Sequence, residues 1–440
     1  MTINWFSPIP PTRSSIAMDT AAVLPALSKR AQIVVWTDQA TWAQSLEEHA
    51  EVRRYDPFAL PWEEINAADL SVYHLGNHTG YHAPIWQVSR KHPGLIVLHD
   101  VNLQHFFAGL ADEGLLSRRE YLQMMALDHP SDGERLGEAV LACRLSPDEV
   151  CGDCPLTAAA IESALGVAVH TENGRAAVAA SSDLPVAYVP LFAIPETSLE
   201  EPPLRKAKPE GVPYRIIIFG FLGSNRRLES VVTALHQFGG RDRFRLDVYG
   251  PIAREKSFLQ LVRELDLRRF VTVHGFVSDA RLIEALKRSD LAINLRNPTM
   301  GEASASQLRI WQQGLPSLVT DIGWYATLPK EIVAFVRPEA EDEDLRRHLS
   351  DFLEEPERYY ELGRNGRRYV NEHHSQAAYV DGLMNLIGAA MESRPRLAVR
   401  SIAARAGQAM NPWFSEAAAD ILLPRLAEKI SQLFDHPRAR

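Results

Sequence analysis

The stretch LAINLRNPTMGEASASQLRIWQQGLPSLVTD, residues 291–321, reads as strand, loop, helix and strand. "LAINLR" (291–296) and "PSLVTD" (316–321) are short apolar runs, and "NPTMG" between them is a loop. The spacing predicts a helix from about Glu302 to Gln313, with Gly314 placed to end it at the position where a left-handed residue stops a helix. Two strands joined through a helix lie parallel, so this one unit already points to a doubly wound sheet.

The same alternation extends in both directions. In the first half the strand candidates are 32–37, 70–76, 94–100, 167–171 and 186–191; in the second they are 214–220, 244–250, 270–276, 291–296 and 316–321. Many are near-continuous apolar runs, as expected of strands covered on both faces. Helical patterns such as "LESVVTALHQF" and "ARLIEALKRS" separate them. The segment 194–213, "IPETSLEEPPLRKAKPEGVP", is rich in proline and charge and reads as an interdomain linker. The expected fold class is therefore α/β, with two doubly wound Rossmann-like domains facing a central cleft. The domains are 1–195 and 213–375, and extra C-terminal helices occupy 376–440. Of these, 375–391 is helical, "ESRPR" breaks the pattern, and an amphipathic tail carrying "EAAADILLPRLAEKISQLF" follows. In such sheets ligands sit beyond the carboxyl ends of the strands.

Composition narrows the function. With 440 residues, 46% hydrophobic and 23% charged, the chain is an ordinary globular protein of two or three domains. A net charge of −9 argues against a nucleic-acid partner. The start "MTINWFSPIPPTRSS" does not read as a signal peptide, and no apolar run approaches the ~20 residues of a membrane span. Three cysteines suit a reducing compartment, so a cytoplasmic location is expected. Cys151 and Cys154 form a C-x-x-C, but only the distant His170 could join them on a metal, and free thiols are expected.

Four strand ends carry chemistry. At the first, the small residues Ala303, Ser304, Ala305 and Ser306 open a helix whose N–H groups and dipole would suit a diphosphate, with Glu302 beside them to accept from sugar hydroxyls. The same pattern would also suit a capped surface helix with a first-turn glutamate. At the second, "FGFLGSNRRLESVV" (219–232) places Arg226 and Arg227 at a strand end, where guanidinium groups bind phosphate bidentately; a solvated helix start is the alternative. The glycines there do not have dinucleotide-binding spacing. At the third, His99 and Asp100 end the strand "IVLHD" and would face the cleft as hydrogen-bond or acid–base groups, or serve structurally. The fourth, "YHLGNHTGYH" (73–82), holds His74, Asn77 and the pair His78 and His82; Gly76 and Gly80 are expected to break any helix there, and no metal site is expected.

Together these motifs resemble glycosyltransferase family 4, which has the GT-B fold. The resemblance covers roughly residues 1–390. It rests on "WFSPIPPTRSSIAMDTAAVLPAL", "VLHD", "FGFLGSNRRLE", "VTVHGFVSDARLIEALKRSDLAINL" and the opening stretch. It implies transfer of a sugar from a nucleotide-diphosphate donor with retention and without metal or cofactor, the nucleotide sugar being a co-substrate. Arg226 would meet the diphosphate, Glu302 the donor sugar, and Ser304 to Ser306 the phosphates. Gly275, Phe276 and Val277 would border the base. His99 would approach the donor sugar, and the loop Arg13, Ser14 and Ser15 would lie near diphosphate and acceptor. The first C-terminal helix would cross back to the N-terminal domain.

Three departures stand out: Ser14 and Ser15 replace the family's usual glycine pair, Phe221 replaces an arginine, and Arg309 replaces the second glutamate of a paired motif. Arg309, seven residues after Glu302, is expected on nearly the same helix face, on the donor or on a nearby carboxylate. The expected function is a retaining glycosyltransferase acting on a glycan, a lipid-linked glycan or a protein. The alternatives are a non-catalytic nucleotide- or sugar-binding or assembly protein and a nucleotide-sugar epimerase on the same fold. The basic stretch 393–407 and the amphipathic segment after it would dock on the chain's own N-terminal domain, in a homodimer, or peripherally on the inner, anionic membrane surface.

Overall fold

The computed structural model describes residues 1–195 and 204–410 and positions 425, 428 and 429, with the backbone alone for 394–410. Among these, two all-parallel sheets carry the fold. The first contains β1 (Thr2–Phe6), β2 (Gln32–Thr37), β3 (Glu51–Arg54), β4 (Leu70–Leu75), β5 (Gly94–Leu98), β6 (Ala164–Val169) and β7 (Val186–Tyr188), in the order β3-β2-β1-β4-β5-β6-β7. The second contains β8 (Tyr214–Phe219), β9 (Phe244–Tyr249), β10 (Val271–Gly275), β11 (Leu291–Ile293), β12 (Ser317–Thr320) and β13 (Ala334–Val336), in the order β10-β9-β8-β11-β12-β13. Both faces of each sheet are covered. In the first, Phe6, Tyr73 and Ile96 pack under Trp86 on one side, while Trp5, Val72 and Val97 pack under Val23 and Leu27 on the other. In the second, Ile216, Ile218 and Leu246 face Phe352, and Ile217 and Phe219 face Ile310 and Leu315.

Each sheet reverses its winding between two central strands, β1 and β4 in the first and β8 and β11 in the second. The crevice of a doubly wound sheet opens at this switch point, outside the carboxyl ends of those strands. The segments leaving them, 7–14, 76–78, 220–227 and 294–304, therefore hold the candidate site.

Several expectations change. β1, β3 and β13 lacked a clear signal. Asn4 sits in the middle of β1, and burial is tolerated because its amide donates to Ile65 O and Ser71 Oγ and accepts from Trp36 Nε1. β3, "EVRR", is an edge strand and needs no apolar run. The supposed linker is partly structural: Arg205 donates to the carbonyls of Leu286, Ser289, Gln313 and Gly314, closing the C-terminal ends of two helices. The last helix runs Gln376–Met410, straight through the "ESRPR" expected to break it. It follows the helix Pro356–His373 of the second domain but buries Tyr379, Leu383, Leu386 and Ile387 against the first. Burial of four such side chains contributes on the order of 10 kcal/mol before ordering entropy. The expected amphipathic tail helix beyond 410 lies outside the described residues, as does 196–203 of the linker. Among the described residues, no helix is long and apolar enough to cross a membrane.

Candidate active site between the two sheets

The second domain contributes an anion-ready floor. The helix after β11 spans Ala305–Gln312, shorter than expected. Ser304 is its N-cap, and the Ser304 hydroxyl accepts from Gln307 N. The N–H groups of Ala305 and Ser306 donate to nothing among the described residues, so the first turn keeps its free donors. Ser306 Oγ lies against Gly220, whose φ of +112° bends the chain away at the end of β8. Behind the turn runs a buried polar chain: Arg226 donates to Asn294 Oδ1 and Phe219 O, Asn294 donates to Gln307 Oε1, and Gln307 donates to Ser317 Oγ. Arg226 thus does not project from an open loop. It is 3% exposed, with its Nε buried and without a partner among the described residues. Burial, and then the neighbouring Arg296 charge, push it down to about 9. The Arg226 and Arg296 charges act on each other, Asn294 links Arg226 to the Ser304 cap of the helix, and Glu302 is the nearby countercharge.

Glu302 is not in the helix's first turn. It lies in the preceding loop, because Ser304 supplies the cap two residues later. Its Oε2 accepts from Met300 N at 2.7 Å and Thr299 Oγ1 at 3.1 Å. Its Oε1 stands 3.0 Å from Arg296 Nε, within ion-pair distance though not aligned for a hydrogen bond. The carboxylate therefore shapes its own loop and retains lone pairs on Oε1. The same-face relation expected with Arg309 fails, since Glu302 precedes the helix; Arg309 pairs with Asp279 at 2.9 Å and its field reaches Asp19 on the first domain.

This loop is docked onto the first domain. Met300 O accepts from both Val101 N and Asn102 N at 2.9 Å, and Gly301 O accepts from Thr171 Oγ1 at 3.1 Å. Gly301 has φ +74°, and a Cβ there would sit 2.9 Å from Val101 Cβ, so both conformation and clearance call for glycine. A second clasp joins Ser224 Oγ to Asp148 Oδ2, while His105 Nε2 stands 3.1 Å from Asp148 Oδ1.

Facing the floor, the first domain presents a cluster of imidazoles. His99 follows β5, and its Nε2 lies 2.9 Å from His74 Nδ1, with the His170 ring centred 4.8 Å away. His82 and His170 each donate from Nδ1 to a backbone carbonyl, of His74 and Val189 respectively. His74 Nε2 is buried without a partner. The proton arrangement that leaves no buried N–H unmatched puts the His74 proton on Nδ1, toward His99, and the His99 proton on Nδ1. Burial holds His74 and His99 well below 6.5 and brings His82 and His170 down to about 4, so all four are neutral at pH 7. Asp100, beside them, accepts from Asn77 N at 2.8 Å; burial pushes it up to about 7, and the Glu302 charge adds to the rise. Asn77 also donates to Asn102 O and accepts from Phe106 N, so it fastens the cleft wall. Contrary to the expected break at Gly80, a helix spans Thr79–Lys91 with His78 as its N-cap. Among the described residues, no group of three or more His, Cys, Asp or Glu is arranged to hold a metal ion. The three cysteines are free thiols.

The other expected positions spread along the same cleft. Gly275, with φ +64°, ends β10 and leaves Phe276 exposed and Val277 half-buried. Arg13, from the loop before the helix Ser15–Leu27, lies 4.3 Å over the Phe276 ring, and Ser14 holds the N-cap position of that helix without a side-chain capping bond. Arg227 turns away: its Nε sits 3.0 Å from both Glu341 oxygens, and it adopts φ +56° at a helix start. Ala303 is half-buried in the loop beside Ser304, and Phe221 stands exposed directly after Gly220. His74 was named with the other histidines of 73–82, and His170 only as a distant partner for the cysteines; Arg296, Asn294, Ser224 and Asp148 line the candidate site without having been anticipated. Arg296 and Asn294 could have been found by weighing the end of "LAINLR" as the other strand ends were weighed. Asp148, on a short helix far along the chain, offered no local signal.

Residues 204–369 match the family model described as Glycosyl transferases group 1. No curated protein matches the sequence. Among solved structures, sucrose-phosphate synthase from Thermosynechococcus elongatus aligns with a TM-score of 0.61 and 13% identity, covering 89% of this chain and 100% of that one. Anabaena HepE in complex with UDP aligns with a TM-score of 0.58 and 13% identity, over 88% and 100%. A glycosyltransferase from Rickettsia africae aligns with 0.58 and 13%, over 89% and 98%. At such identities the likeness establishes the shared architecture. The chain thus has the two-domain GT-B fold, and its residues 204–369, the larger part of the second domain, are similar to the Glycosyl transferases group 1 family.

Proposed function

We propose that the protein is a glycosyltransferase that takes a sugar from a nucleotide-diphosphate donor and places it on an acceptor hydroxyl with retention. The observation that carries this reading is the convergence of Arg226, Arg296 and the free N–H groups of Ala305 and Ser306 on one side of a cleft whose other side presents His99 and Asp100. Fixed positive charge and free donors suit a diphosphate. Neutral hydrogen-bonding groups suit a sugar. HepE was captured with UDP, which makes a uridine donor the first to try. In the proposed step the bond between the anomeric carbon and the β-phosphate oxygen breaks, and its electron pair stays on that oxygen. The acceptor oxygen bonds to the anomeric carbon from the same face, and its proton passes to the departing phosphate. Arg226, Arg296 and the helix donors stabilise the diphosphate charge that develops, Glu302 orients the sugar hydroxyls, and His99 donates from Nδ1 to a sugar or phosphate oxygen. No resident metal is invoked.

The test is turnover of a panel of UDP-, GDP- and ADP-sugars with a saccharide acceptor mixture, with and without EDTA. Release of nucleoside diphosphate with an α-linked product from an α-linked donor, unaffected by EDTA, supports the reading. Sugar interconversion without acceptor, or nucleotide binding without turnover of any donor, would replace it.

A further inference from the structure

Two adjoining cavities open on the first domain, beyond the carboxyl ends of β1, β2 and β3, away from the diphosphate floor. The larger has a volume of about 790 Å³, and the smaller, reaching back to Thr12 and Tyr81, about 190 Å³. The larger falls within the roughly 300–1,000 Å³ usual for ligand sites. Asp38, Tyr55 and Gly80 line both.

Three observations say what would fit. Tyr55 is 4% exposed, and its hydroxyl is buried without a partner among the described residues, so a ligand hydroxyl or an ordered water at this wall would complete its hydrogen bonding. The charges on the larger wall are the carboxylates Asp38, Asp56 and Glu113 against the single guanidinium of Arg54, so a phosphate there would be repelled. Phe58 is 87% exposed on the same wall, an aromatic face beside carboxylate, amide and hydroxyl groups. A sugar ring has a matching division: apolar C–H faces and a hydroxyl rim that donates to carboxylates. The first turn of the helix Thr79–Lys91 joins this groove to the imidazole cluster, since Gly80 lines both cavities while His82 bonds the backbone of His74.

We propose that this groove is the acceptor subsite, that it takes an uncharged or amino-bearing saccharide of about two rings, and that it rejects saccharides phosphorylated at the bound ring. The proposal rests on the transferase reading for the role of the groove, but its binding test does not depend on turnover. Saturation-transfer NMR on the full chain would use maltose, cellobiose, N,N′-diacetylchitobiose, the deacetylated chitosan disaccharide and maltose 1-phosphate at equal millimolar concentration. At least one unphosphorylated disaccharide is expected to receive saturation, and maltose 1-phosphate none. Phe58→Ala and Tyr55→Phe should each cut the signal about fivefold or more, while leaving any rise of melting temperature with UDP unchanged. The double variant Asp56→Lys, Glu113→Lys should gain the phosphorylated disaccharide. The proposal is overturned if no unphosphorylated disaccharide binds, if the phosphorylated one binds equally well, or if both Phe58→Ala and Tyr55→Phe keep the full signal. Disaccharide binding without any nucleoside diphosphate binding would instead strike the transferase reading.

Discussion

Glu302 and Arg296 face each other across 3.0 Å at the mouth of the cleft, both mostly buried. Removing the carboxylate leaves two guanidinium groups, Arg226 and Arg296, without their nearest countercharge. Glu302→Gln is therefore expected to lower donor turnover by about 10²–10³-fold, the range typical of a lost preorganised group, yet not to weaken UDP binding. Turnover and calorimetric titration on the same preparation check this; a loss of UDP affinity would move Glu302 from the sugar to the diphosphate. Asp100 makes the site sensitive to pH. Pushed up to about 7, it is protonated below that pH and ionised above it. Ionisation adds a negative charge beside the site, so UDP affinity should fall by roughly three- to tenfold as pH rises through 7. Asp100→Asn should remove that fall. Glu302, Arg226 and His99 were legible in the sequence because each sits at or near a strand end. Their states were not: that Arg226 is buried, and that His99 rests on His74 and His170, depends on residues brought together from distant strands.

At the scale of elements, the loop 297–304 decides how the domains meet. Its sequence suggested a helix opening at Glu302; the side chain of Ser304 competes for that role and wins, because its hydroxyl caps Gln307 N while Glu302 stabilises the turn before it. Gly301→Ala should meet Val101 and strain the left-handed backbone. A destabilisation of about 1–3 kcal/mol is expected, with turnover reduced more than tenfold as the Met300 clasp loosens. A small-angle scattering profile unchanged from wild type and normal turnover would show that closure does not depend on this contact. Strand–helix alternation was readable wherever strands are buried on both faces. It was not readable for β1, whose Asn4 is buried but satisfied, or for the edge strand β3.

For the whole molecule, burial of uncharged imidazoles links stability to pH. His82 and His170 titrate at about 4 when folded and near 6.5 when unfolded, and His74 and His99 shift the same way. The unfolded chain thus binds more protons between those values, and stability is complete above about 6.5 and lost as pH falls toward 4. Asp19 and Asp100, raised to about 7, act in the opposite direction over the same window, so these six groups together contribute a net of two protons or fewer, each worth about 1.4 kcal/mol per pH unit. Melting temperature should fall by several degrees from pH 6.5 to 5, and His82→Gln should flatten the slope; a rise over that range would show that the carboxyls dominate. The helix Gln376–Met410 ties the second domain to the first, a crossing no local pattern reveals, because its apolar stripe does not say which sheet it covers. The proposed reaction requires the switch point of the second sheet to hold a nucleoside diphosphate. Calorimetric titration of the full chain with UDP, GDP and ADP and with the matching nucleosides tests it most directly. Saturable binding of at least one diphosphate is expected, at least tenfold tighter than its nucleoside and weakened by Arg296→Met; equal affinity for diphosphate and nucleoside, or no binding of any diphosphate, would contradict it.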